Sequence, residues 1–423
     1  MRRSLEKPAI QRRQPQARHI EIGDRKALET SRHWQQALPG GRKDSRYYEI
    51  VEDTIMPEFD FRYFILRGND GAIRAVQPFF LLNQDLLEGS GKALRSAANF
   101  VRRLWPSFLT MRTLMLGCAA GEGHLDRQDE DIAGQDAALL ARNITPLAKE
   151  MGAKLIVLKE FPAQYRKALK PFLAHGFSHI PSLPMAELKL DYKDFEDYLR
   201  RGVSARMRSD LRRKYRQADA GAPISVTVHR DICDIIDEVY PLYLHVYNRS
   251  SQHFEKLTKE YFCALSRRMP DKSRFFVWRC EGKVIAFSLT MVHDDHICNE
   301  YLGLDYDVAL SRHLYFVAFR DVTSWAIANG YQRCLSTGLS YEPKFKLGFD
   351  LYPLDLYVRH TSDRWNALFK RILPWLEPTR QDPVLKRFAN YDALWADTMC
   401  AQGEAAKPDD ERQVSGSVVK KSG

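Results

Sequence analysis

Glu300 stands alone in an otherwise apolar run, residues 297–305 (ICNEYLGLD). A carboxylate in such a setting serves as a proton acceptor or substrate ligand, or else it turns to solvent or pairs with an arginine. Gly303, three residues on, would permit a bulge. Residues 117–124 (GCAAGEGH) form a glycine loop without full G-x-G-x-x-G spacing, and Glu122 at its centre would repel a phosphate. Residues 293–296 (HDDH) supply metal-ligand side chains, but a turn between two strands accounts for them and no metal is expected. Residues 200–216 hold eight Lys or Arg against one acid, Asp210. That density fits a solvated helix face or a surface that meets an anion. In residues 363–378, Trp365, Leu368, Phe369, Ile372 and Leu373 form a helical apolar stripe with Arg364, Lys370 and Arg371 off it. Such a helix packs on its own protein or lies in a membrane interface.

These groups need a scaffold, and the chain is long enough for one. It has 423 residues, 44% of them hydrophobic, which excludes wholesale disorder and suggests two domains. The net charge of +10 suits nucleic acid, an anionic membrane or a phosphate-bearing cofactor. Seven dispersed cysteines without a CxxC pair point to reduced thiols in a cytoplasmic protein. No apolar window is long enough to span a membrane, and no secretory signal is expected from the basic N-terminus. Residues 1–44 read as a basic flexible arm and 402–423 as a disordered tail.

The second half alternates clearly. Strands at 224–228, 274–280, 284–292, 297–305, 332–338 and 353–360 are separated by helices at 231–248, 258–269, from Ser311 to Gly330, and near 341–349. The first half repeats this pattern in weaker form. Met151-Gly152 ends a helix before a strand just as Asn329-Gly330 does. Residues 176–181 and 348–353 share G-F-x-x-x-P. Two landmarks in the same order imply a tandem repeat. The expected division is 45–192 and 222–360 as two domains, with 193–221 a basic linker helix and 361–401 an amphipathic helical extension.

The order of elements, an α/β mixed sheet with a central hairpin and then strand–helix–strand–helix–strand, resembles the GNAT acyltransferase fold. Residues 194–360 are most similar to the acetyltransferase-like domain often described as BioF-like, and to Fem-type transferases with two GNAT domains. The basic lead-in at 195–218, residues 280–330, and Lys344 ahead of Gly348-Phe349 carry the resemblance. It implies tandem GNAT-like domains, the first degenerate. It also implies an N-acyltransferase that uses acyl-CoA or acyl carrier protein as donor, with no tightly bound cofactor.

Transfer to an amine needs a base for the ammonium, a donor for the carbonyl oxyanion and an acid for the leaving thiolate. The resemblance places the oxyanion donor where the fourth and fifth strands splay, which makes Glu300 the expected base. It implies Tyr341 or Lys344 as the group that orients the donor or protonates the thiolate. The donor phosphates are expected at the helix start formed by Ser311, Arg312, His313 and Leu314, where no glycine loop is present. Glu122, His124 and Tyr301 are expected to line the acceptor cleft. The favoured acceptor is a lipid or long-chain, sphingoid-type amine, as in bacterial ceramide-type synthesis, with peripheral contact to an anionic inner membrane. The alternatives are a Fem-type transferase that uses aminoacyl-tRNA in peptidoglycan synthesis, and a non-catalytic module in envelope polysaccharide assembly.

Overall fold

A computed structural model describes residues 17–38, 41–55, 59–85, 110–127, 129–250, 254–380 and 382–396. The expected tail, 402–423, lies outside them. In the first half the strands are β1 (His19–Gly23), β2 (Asp60–Arg67), β3 (Ile73–Asp85), β4 (Thr110–Leu116), β5 (Leu155–Pro162), β6 (Ser178–Pro181) and β7 (Met185–Lys189). Its helices are α1 (Arg32–Gln35), α2 (Ser45–Thr54), α3 (Glu130–Glu150) and α4 (Arg166–Ala174). Two basic helices follow, α5 (Phe195–Arg201) and α6 (Ala205–Asp219). The second half contains β8 (Ile224–His229), α7 (Ile236–Tyr247), α8 (Lys259–Arg268), β9 (Ser273–Cys280), β10 (Lys283–His293), β11 (His296–Leu304) and α9 (Tyr306–Ala309). After these come α10 (Leu314–Ala328), β12 (Arg333–Ser336), α11 (Tyr341–Lys346), β13 (Asp350–Tyr352), β14 (Leu354–His360) and α12 (Asp363–Leu376).

The strands form two seven-stranded sheets, β1-β2-β3-β4-β5-β14-β6 and β13-β7-β12-β11-β10-β9-β8. Each has one parallel pair, β4 with β5 and β11 with β12. The two orders are the same when the halves are matched strand for strand, so the tandem repeat is present in the topology. The landmark glycines explain its trace in the sequence. Gly152, Gly176, Gly330 and Gly348 all have φ between 75° and 85°, a left-handed turn that ends a helix and that a side chain would strain.

The domain boundaries need correction. β7 lies between β12 and β13, and β14 between β5 and β6. Each half gives its last strand to the other's sheet, so a cut at residue 192 would take a hydrogen-bonded strand from the second sheet. The arm also changes status. Residues 19–23 pair with β2 as an edge strand, and Arg42 and Lys43 are buried. The linker is two helices broken at Gly202, with Ser204 capping the second.

Alternation within the strands builds three large cores among the described residues. Leu114, Leu116, Ile156 and Leu158 point to α3 and α4. Phe276, Trp278 and Ile297 point to α10 and to the apolar stripe of α6, Met207, Leu211, Tyr215 and Ala218. The opposite faces of both sheets meet in a shared core with α2, α7 and α8, through Tyr47, Phe80, Met115, Tyr243, Phe262 and Phe287. That core fixes the two halves against each other. On α12 the expected stripe divides. Phe369 and Leu373 join the shared core, while Trp365, Leu368 and Ile372 remain exposed.

Candidate active site between the two sheets

β11 and β12 are paired only from His296 to Asn299 against Arg333 to Ser336, and then part. At that point β11 carries a one-residue bulge. Asn299 lies opposite Thr290 and Tyr301 opposite Leu289, which leaves Glu300 as the extra residue. The irregularity is therefore at Glu300 and not at Gly303. Gly303 serves packing: a Cβ there would lie 2.1 Å from the Phe287 ring and 2.8 Å from the Leu242 backbone. Thr337, just past β12, donates its hydroxyl to the Glu300 carbonyl at 3.2 Å.

Glu300 is buried as an ion-paired carboxylate. One oxygen is 2.7 Å from Arg42 Nε and the other 3.3 Å from Lys43 Nζ. The same two cations hold Glu122, Arg42 at 2.5 Å and Lys43 at 2.8 Å. His124 Nε2 lies 3.0 Å from Glu122. The four charged side chains are each no more than 5% exposed, and their charges balance. Burial pushes the Glu122 carboxyl up, but Arg42, Lys43 and His124 outweigh it and hold it well below the usual range. Burial likewise disfavours the Lys43 ammonium, and the two carboxylates overcome this and raise it. Thus Glu122, His124 and Glu300 do come together, through two residues that the sequence reading left in a flexible arm. Both oxygens of Glu300, the expected base, are engaged by Arg42 and Lys43.

The glycine loop is accounted for by the same network. A Cβ on Gly121, whose φ is +113°, would sit 1.9 Å from Lys43 Nζ. A Cβ on Gly123 would meet the Phe161 ring at 2.6 Å. These glycines make room for a buried ammonium and a ring.

Lys344 is buried in α11 and donates to the carbonyls of Thr337 and Leu339, the latter at 2.9 Å. Burial lowers its ammonium to about 8. Leu339 and Ser340 before it both have positive φ, an uncommon pair for side-chain-bearing residues. Lys344 Nζ lies over the ring of Tyr341, 5.8 Å from its centroid. The Tyr341 hydroxyl donates to the Pro184 carbonyl at 2.8 Å and its ring packs with Leu351, Leu385 and Phe388, so it holds the C-terminal segment in place. Tyr301 donates to Glu255 Oε1 at 3.0 Å.

The expected donor residues are split. Ser311 does not cap the helix: its hydroxyl bonds the Val308 carbonyl, and the helix begins at Leu314 behind His313, which has φ +50° and no side-chain cap bond. Arg312 turns away to the Ala222 carbonyl, where it ties α10 to the start of β8. His313 Nε2 lies 2.9 Å from Gln217 of α6. Burial lowers His313, and Lys214 and Arg213 lower it further. Basic α6 therefore lies beside the uncapped start of α10.

Glu255, Arg42 and Lys43 were missed by sequence reasoning. Arg42-Lys43 follows Gly40-Gly41 in a stretch without periodicity, and nothing local marks it as buried.

Residues 205–344 match the family described as acetyltransferase (GNAT) domain. A Mycobacterium tuberculosis protein with the provisional name 8-amino-7-oxononanoate synthase 2 is 22% identical over 359 residues, 81% of this chain and 45% of that one. The chain thus spans about half the length of this curated relative. Among solved structures, FemX is 12% identical with a TM-score of 0.49, covering 83% of this chain and 99% of its own. L-PGS from Bacillus licheniformis is 13% identical with a TM-score of 0.48, covering 78% and 95%. A tandem GNAT protein from the clavulanic acid biosynthesis pathway is 13% identical with a TM-score of 0.45, covering 81% and 99%. The family match thus falls on the half that carries the splayed parallel pair and the bulge, and residues 205–344 are similar to an acetyltransferase (GNAT) domain within a chain of two like-ordered sheets.

Proposed function

We propose that the protein is an N-acyltransferase that moves an acyl group from acyl-CoA or acyl carrier protein to the primary amine of a long-chain, sphingoid-type acceptor. The observation that carries this reading is the Glu300 bulge, joined through Thr337 to the buried amine of Lys344. Backbone N–H groups at a bulge suit a developing oxyanion. An ammonium with a pKa of about 8 suits a thiolate leaving group near neutral pH. The uncapped start of α10 and the basic face of α6 suit the donor's phosphates. Incubation with palmitoyl-CoA and sphinganine is expected to release coenzyme A and form the N-acyl product, followed by mass spectrometry. Failure to bind coenzyme A, together with no amide from thioesters of any chain length, would overturn this reading.

The long-chain preference draws support from α12. Trp365, Leu368 and Ile372 are 56%, 43% and 40% exposed, with exposed Arg364 and Arg371 on the same helix. Among the described residues no helix is long and apolar enough to cross a membrane. A peripheral helix of this kind would bind the anionic inner face of a bacterial membrane by apolar insertion and charge attraction. Flotation with phosphatidylglycerol vesicles is expected to recover the protein, and 1 M salt to release most of it because screening shortens to about 3 Å. Equal recovery with neutral vesicles, or retention by Ile372→Asp, would remove α12 as the contact.

A further inference from the structure

Both oxygens of Glu300 are held in ion pairs, and a second carboxylate, Glu255, is bonded to the residue that follows the bulge. Glu255 lies in the loop between α7 and α8 and is half-buried. The loop is fixed on both sides of it. Phe254 packs against Phe59 and Phe80 of the first half, with ring centroids 6.0 and 6.4 Å apart. The Leu257 N–H donates to the Tyr243 hydroxyl, and the Leu257 carbonyl accepts from Tyr240, both at 3.0 Å. Glu255 accepts from Tyr301, the residue directly after the bulge, at 3.0 Å. The ring of Tyr301 stands edge-on to Tyr243 and Tyr261.

The local charge is unbalanced. Two cations act on Glu255, and both are already engaged: Lys159 by Glu160 at 2.6 Å and the Gly121 carbonyl at 3.0 Å, and Lys43 by Glu122 and Glu300. With Arg42 and Lys43 balanced by Glu122 and Glu300, the group of Lys159, Glu160 and Glu255 is left with one negative charge in a half-buried setting walled by tyrosine rings. A carboxylate beside aromatic rings is the chemistry that recognises an alkylammonium.

We propose that Glu255 and the Tyr301 hydroxyl form the acceptor's ammonium subsite and that Glu255 takes the ammonium proton. This inference rests on the N-acyltransferase reading above. The ammonium gives one proton to Glu255, the C–N bond forms and the C–S bond breaks. The thiolate takes a proton from Lys344, and the second nitrogen proton returns to Lys344 through water. Glu255 then releases its proton to solvent, one per turnover. Burial and Glu160 push the Glu255 carboxyl up, against Lys159, the Tyr301 hydroxyl and Lys43, and the net direction is upward.

The test is calorimetric titration of the full chain with dodecylammonium in the presence of coenzyme A. Glu255→Gln is expected to weaken dodecylammonium binding at least tenfold, and Tyr301→Phe to weaken it by a smaller factor, with coenzyme A binding unchanged in both. Wild-type affinity for the amine in Glu255→Gln overturns the subsite while the donor reading stands. Binding of coenzyme A but not of dodecylammonium by the wild type also overturns it. Binding of neither ligand overturns the acyltransferase reading and this inference with it.

Discussion

Lys43→Met is expected to cost the folded protein about 3–5 kcal/mol, read as a lower urea midpoint at an unchanged slope. The size follows from what is left behind. Lys43 is fully buried and bonded to both Glu122 and Glu300. Removing it leaves two carboxylates that share one remaining cation, Arg42, out of reach of water. The cost is that of an orphaned buried charge and not of a lost contact, so a second substitution tests the cause. Adding Glu122→Gln to Lys43→Met removes the excess charge and is expected to recover part of the loss, a coupling of at least 1 kcal/mol. A loss below 1 kcal/mol for the single variant would mean that Lys43 is not buried as described. Two additive losses would mean that the network is not electrostatically coupled. Glu300→Gln unbalances the same network, so a fall in its activity is informative only alongside its stability.

The network also shows why the site was only partly legible in the sequence. Repetition was readable because it is local. Gly152 and Gly330, like Gly176 and Gly348, mark helix ends that need positive φ, and such needs survive when the surrounding residues diverge. Glu300 could be singled out because a charge in an apolar strand conflicts with its neighbours. Its partners could not, because they lie 258 and 257 residues away in the chain. Likewise, the exchange of β7 and β14 leaves each strand's own pattern unchanged, since burial on both faces reads the same in either sheet. The serine expected to cap α10 lost to tertiary geometry: the one-turn helix α9 comes first, and the chain then swings through His313 at φ +50°. Glu255 carried no signal beyond its type, and it becomes noticeable only when Tyr301 reaches it across the fold.

Lys344 provides the second large effect, and its sign can be worked out. Burial lowers its ammonium from 10.5 to about 8. Between pH 8 and 10.5 the unfolded chain therefore holds a proton that the folded chain has released. Stability contributed by this group rises with pH across that window, is complete above 10.5, and is lost as pH falls through 8. The shift corresponds to roughly 3 kcal/mol for a group buried this deeply. Lys344→Met removes the titration, so the stability difference between wild type and variant is expected to change by about that amount between pH 7.5 and 10. Subtracting the variant cancels the other groups that titrate in the range. The carbonyls of Thr337 and Leu339 lose their donor in the variant, an offset that does not vary with pH. The same proton bears on catalysis. If Lys344 protonates the departing thiolate, turnover falls on the alkaline side with a midpoint near 8, and Lys344→Met loses about 10²–10⁴ in kcat together with that limb. A stability difference that stays flat from pH 7.5 to 10 would show that Lys344 titrates normally. An unchanged alkaline limb in the variant would assign the leaving-group proton to another residue.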